Sequence, residues 1–142
     1  MGCTYDDLGD HAKALEYKLK ALAICEKVLP ADHPNLATSY TSVGYTYSKL
    51  GDTEKDLEYG LKALAIQEKV LPADHPALAQ SYNNVGTTYY YLGEHNRALE
   101  LYEKALTIRE KKLPAGHPYT ESTKRNIAIV KQRLAEKEPV SP

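Results

Sequence analysis

The sequence predicts an all-α solenoid of stacked antiparallel helix pairs, and three observations predict it. The hexapeptide LPADHP at Leu29–Pro34 returns unchanged at Leu71–Pro76 and, as LPAGHP, at Leu113–Pro118. Between the copies, apolar residues recur at steps of three and four, the spacing of one helix face. A glycine followed by an acid, Gly51–Asp52 and Gly93–Glu94, splits each interval into two halves. A single helical hairpin cannot bury both of its faces, so units of this kind must stack on neighbours.

Leu29–Val70 lies over Leu71–Lys112 without a gap, with more than half the positions identical, and this fixes a 42-residue period. In that phase, residues 1–28 form a partial first repeat, with the end of a front helix up to Leu8, a turn at Gly9, and a back helix. Residues 29–70 and 71–112 are whole repeats, 113–137 a C-terminal capping front helix, and 138–142 a disordered tail. The out-of-phase start points to a slice of a longer array.

The front helices are predicted from Tyr40, Val43, Tyr47 and Leu50, and from Tyr82, Val85, Tyr89 and Leu92. The back helices follow from Leu15, Leu19 and Leu22 and from Leu57, Leu61 and Leu64. Glycine suits the left-handed end of a helix, and the acid after it suits the start of the next. Gly44, Gly86, Ala21, Ala63 and Ala105 fall where paired helices should approach closely. Asp56 and Gly60 break the pattern of the sibling repeats, and a glycine inside a helix costs about 1 kcal/mol relative to alanine. The helix holding Gly60 is therefore expected to be the least stable.

Composition narrows the function classes. Net charge is −1, without a basic footprint for nucleic acid or an anionic membrane. No apolar run approaches the roughly 20 residues of a membrane span, and the first ten residues lack a secretory leader pattern. Gly2 opens a myristoylation-like start, but the residues after it do not complete that motif. Cys3 and Cys25 have no partners at disulfide or zinc spacing, which fits a reducing, cytoplasmic setting.

His33, His75 and His117 carry acid–base potential, two of them beside an aspartate. Residues one period apart cannot share a metal, and a histidine at fixed phase in every copy is better explained by helix punctuation. In that reading the aspartate accepts free N–H groups and the proline occupies the first turn. His11 and His95 fall in the hairpin turns. No nucleophile elbow, phosphate loop or HExxH is present, so the expectation is a protein without catalytic, cofactor or metal sites.

The segments Tyr40-x-x-Val43-Gly44-x-x-Tyr47-x-x-Leu50-Gly51 and Tyr82-x-x-Val85-Gly86-x-x-Tyr89-x-x-Leu92-Gly93, with Ala98-Leu99-Glu100-x-x-x-Lys104-Ala105-Leu106, resemble the tetratricopeptide repeat (TPR). The long period resembles the extended class of kinesin light chains, with Pro30, Pro72 and Pro114 where that class has glycine. The resemblance implies a right-handed superhelix whose front helices line a concave groove that takes a protein or peptide ligand. The groove residues it implies are Thr41, Tyr45 and Lys49, then Gln80, Asn83, Asn84, Thr87, Tyr90 and Tyr91, then Arg125, Asn126 and Arg133. Asn84 and Asn126 match the position of a backbone-holding asparagine, which Ser42 does not. Arg125 and Arg133 favour an acidic segment, although only Asn84 fits a chaperone carboxylate clamp. Two alternatives stand beside this scaffold or adaptor reading. One is a spacer that self-assembles head to tail or end to end through exposed terminal repeats; the other is an enzyme using the repeated histidines.

Overall fold

The computed structural model describes residues 4–137. They form six helices and no strand: α1 (Thr4–Val28), α2 (Pro34–Lys49), α3 (Thr53–Val70), α4 (Pro76–Tyr91), α5 (His95–Lys112) and α6 (Pro118–Lys137). The chain divides into two compact units, Met1–Leu71 with α1 to α3 and Pro72–Pro142 with α4 to α6.

Each hairpin turn follows from its glycine. Gly51 and Gly93 have φ of +87° and +84°, the left-handed region where side chains clash. The following amide returns to the front helix: Asp52 N–H donates to the Tyr47 carbonyl and Glu94 N–H to the Tyr89 carbonyl, both at 2.9 Å. This is the closing pattern of a Schellman cap. Asp52 then opens α3 as expected, accepting the Lys55 N–H at 3.1 Å. Glu94 makes no such side-chain cap, because its longer carboxyl reaches outward to Arg97 at 3.6 Å.

Two expectations fail at α1. It runs unbroken from Thr4 through Gly9, so the turn expected there is not made, and His11 lies inside a helix. Adding a residue to a formed helix gains a hydrogen bond, whereas a new short helix must overcome the nucleation cost again. Ala21 is also exposed, unlike its equivalents Ala63 and Ala105, because no described helix lies over it.

In the first unit, Leu22 of α1, Leu36, Ala37, Tyr40 and Val43 of α2, and Ala63 and Ile66 of α3 form one core. Leu15, Leu19, Tyr47 and Tyr59 pack against it. The Tyr59 ring lies 5.9 Å from Tyr40 and stacks on Tyr47 at 5.7 Å. Tyr59 takes up the space that Gly60 leaves empty where α5 has Tyr102, while Leu61, expected inside, is 38% exposed. In the second unit, Ala98, Tyr102, Ile127 and Val130 form a core supported by Tyr89, Tyr90, Leu99, Leu106 and Leu134.

The paired helices meet closely where they lack side chains. A Cβ on Gly86 would sit 3.1 Å from the Tyr102 ring and 3.3 Å from the Ala98 carbonyl. On Gly44 it would meet Asp56 Oδ1 at 3.0 Å. At Gly93, by contrast, a Cβ would meet nothing within 4 Å, so only backbone strain opposes a side chain there. Gly93→Ala is therefore expected to lower stability by about 1 kcal/mol in urea denaturation, with the helix content of the native state unchanged.

Candidate functional site

The repeated histidines resolve first, because they sit at the entries of α2, α4 and α6. His33, His75 and His117 are themselves the capping side chains. Their Nδ1 atoms accept the N–H of Asn35 at 3.0 Å, Ala77 at 3.0 Å and Tyr119 at 3.1 Å. For α2 and α4 the proline follows directly in the first turn. The expected division of labour is thus corrected: histidine rather than aspartate satisfies the free amide. Asp74 lies instead 3.3 Å from Lys112 and 3.5 Å from Lys111 at the end of α5, and hydrogen bonding from Lys112 chiefly lowers its carboxyl pKa. Gly116 replaces that aspartate with φ of +80°, and the cap survives without the acid. Among the described residues, no group of three His, Cys, Asp or Glu side chains is placed to hold a metal ion.

On α2, the predicted residues Thr41, Tyr45 and Lys49 are all exposed. The Lys49 ammonium lies over the Tyr45 ring at 5.0 Å, a cation–π contact that presents charge and aromatic surface together. Thr41 returns its hydroxyl to the Ala37 carbonyl at 3.0 Å, the usual helix-internal bond for threonine.

In the second unit, α4 and α6 bring most of the other predicted residues together. Asn83 Oδ1 accepts from Asn126 Nδ2 at 3.3 Å, and Gln80 Nε2 donates to Asn84 Oδ1 at 2.9 Å. Arg133 Nε donates to the Tyr90 hydroxyl at 3.2 Å, and the Tyr91 ring meets Tyr90 edge-on at 5.7 Å. Tyr90, Tyr91, Gly93, His95, Arg133 and Glu136 surround an open depression of about 430 Å³. Asn84, Tyr91, Arg125 and Arg133 face solvent, and Tyr91 is 73% exposed. Thr87 differs from expectation, since its hydroxyl shares a 2.7 Å bond with Tyr102 of α5 and so joins the two helices.

The residue organising this face is one that the sequence does not single out. Arg109 of α5 is only 5% exposed. Its guanidinium donates to Gln80 Oε1 at 3.0 Å, Thr123 Oγ1 at 2.7 Å and the Tyr119 carbonyl at 3.1 Å, joining α4, α5 and α6. It also lies 5.2 Å from the centre of the Tyr119 ring. Burial draws its pKa below the ordinary arginine value, while Tyr119 acts in the opposite sense. In sequence Arg109 resembles any charged residue near a helix end. The available signal is its substitution pattern across the period, from Cys25 to Gln67 to Arg109.

Six helices, with left-handed glycine turns and close glycine crossings, define a helical-hairpin repeat protein. The chain belongs to the tetratricopeptide repeat family, which it matches over residues 2–69 and 56–111. Solved structures agree. The nearly identical TPR-like repeats of the 'putative kinesin light chain' from Podosopora anserina superpose with a TM-score of 0.83 at 27% identity, over 92% of this chain and 62% of that one. A single-residue variant of that protein gives 0.84 at 26% identity, with the same coverages. BtubC (BKLC) from P. vanneervenii gives 0.80 at 26%, over 92% of this chain and 52% of that one. The chain thus spans between half and two thirds of the length of these structures. No curated protein sequence matches it closely. Repeats of this family generally mediate protein–protein interaction.

Two substitutions test the assignments. His75→Ala should cost about 1 kcal/mol while His75→Asn retains most of the cap, as read from chemical denaturation. Arg109→Ala removes three hydrogen bonds, one of them to the buried Thr123, and should cost about 2 kcal/mol, whereas Arg109→Gln, the residue α3 carries, should cost less.

Proposed function

We propose that this protein is a non-catalytic scaffold or adaptor module that takes an extended peptide segment of a partner along its front helices. The observation that carries this reading is the surface of the second unit, where exposed Tyr91 lines the depression with Tyr90 and Arg133, and exposed Asn84 stands about two turns earlier on α4. Tyrosine offers a wide apolar face with a polar edge, and an exposed amide both donates and accepts, which suits the backbone of an extended chain. Arg125 and Arg133 are exposed cations on the same helix and favour acidic side chains in the ligand. Tyr45 under Lys49 offers similar chemistry on α2.

The face divides into residues held by the fold and residues left for a ligand. Asn83, Asn126, Thr87 and Gln80 are committed to bonds between or along helices. Asn84, although bonded to Gln80, is exposed, as are Tyr91 and Arg125.

The test uses peptides selected from a random library against the wild-type protein. Asn84→Ala with Tyr91→Ala should weaken the selected binders about tenfold at an unchanged melting temperature. Asn83→Ala should lower the melting temperature, because it removes the acceptor that holds Asn126. Binders indifferent to the double substitution would place the ligand elsewhere.

A further inference from the structure

Buried Arg109 borders a cavity of about 110 Å³ that lies apart from the depression beside Tyr91. Pro76, Ile108, Leu113 and Tyr119 give it apolar walls, and Gln80, Arg109 and Lys112 supply its polar groups. These residues come from the starts of α4 and α6 and the end of α5, all within the second unit.

Charge at this place is one-sided. The three partners of the guanidinium, Gln80, Thr123 and the Tyr119 carbonyl, are neutral, and no carboxylate of the described residues pairs with it. Lys112 shares a single acid, Asp74, with Lys111. A cation held away from water without an anion is costly, so an anion brought here recovers part of that cost. The cationic character is also particular to this repeat. Pro76, Ile108 and Leu113 repeat Pro34, Ile66 and Leu71, but Gln80, Arg109, Lys112 and Tyr119 stand where the earlier copy has Thr38, Gln67, Val70 and Ala77.

Gln80 links the cavity to the groove. Its Oε1 accepts from Arg109, while its Nε2 donates to Asn84 Oδ1 at 2.9 Å. Gln80, Asn84 and Tyr91 fall along one stripe of α4, so the cavity and the Tyr91 ring mark two ends of one face.

We propose that the cavity is a subsite for a glutamate side chain of the partner segment. Arg109 and Lys112 hold its carboxylate, and its methylenes lie against Ile108, Leu113 and Tyr119. The proposal rests on the peptide-groove reading for its partner and adds a position to it. Gln80 and Tyr91 are about three turns apart, roughly 16 Å, which an extended chain covers in about five residues. The glutamate therefore falls about five residues from the one that lies on Tyr91.

The experiment titrates N-acetylglutamic acid α-methylamide, whose only carboxylate is the side chain, into the whole protein. NMR follows the Gln80 side-chain amide and the Tyr119 backbone N–H. A saturable shift is expected, with none from the glutamine counterpart. Arg109→Gln should abolish it and Lys112→Ala, a surface change, should weaken it about threefold, with circular dichroism checking that both variants keep their fold. Absence of a saturable shift, an equal shift from the glutamine probe, or indifference to both variants overturns the proposal. Peptides selected against the groove give a second arm. Replacing their glutamate by glutamine should weaken binding about tenfold in the wild type and less than about twofold in Arg109→Gln. Peptides that lose affinity with Asn84→Ala and Tyr91→Ala but ignore that replacement overturn the subsite and leave the groove reading standing. A glutamate probe that binds where no peptide does supports the subsite and removes the groove reading.

Discussion

The structure depends on how closely each front helix lies on its back helix. Gly44 and Gly86 allow that approach, and the tyrosines around them use it. With no Cβ at Gly86, the Tyr102 ring lies flat against the α4 backbone and its hydroxyl reaches Thr87. At Gly44 the same closeness places Tyr59 between Tyr40 and Tyr47. Interiors are packed too densely for a side chain to enter such a crossing without moving its neighbours. Once the spacing is set, the left-handed turn at Gly51 or Gly93 joins the two helices without strain. The outward side of the front helix is then free to carry amides and rings.

Much of this is legible in the residues. A period, a helical stripe and a glycine are local properties of sequence, so most of the helices and their turns can be placed nearly to the residue. The misplacements arise where helix propagation, side-chain reach or a neighbour across a contact overrides the local pattern. Gly9 stands in the same sequence setting as Gly51 and Gly93, but α1 continues through it. Leu61 follows the stripe of Leu19, but it is exposed, as is Glu103 one period on. General preference assigns the caps to aspartate, although the imidazole is the acceptor that reaches the amide. For the candidate site, residue choice is legible and residue duty is not. Asn83 and Asn84 are adjacent and chemically identical, yet one holds α6 while the other faces outward.

The two whole repeats have diverged most in how they use polar residues. The first stacks three tyrosines where the second threads a hydrogen-bond network through Arg109. A buried guanidinium with neutral acceptors is held by geometry more than by charge, and it fixes the angle between three helices at once. The exposed residues of α4 and α6 therefore stand on a rigid support, which limits the ordering cost of binding.

The histidine caps have a further consequence. An Nδ1 that accepts an amide proton must carry its lone pair there, so the neutral ring keeps its own hydrogen on Nε2. His33, His75 and His117 are therefore held in the same tautomer by the same bond, at three points 42 residues apart. Ring-nitrogen chemical shifts at these sites would act as three separate reporters of helix entry. They would register the fraying of α2, α4 and α6 individually, in a chain whose helical signal otherwise averages all six.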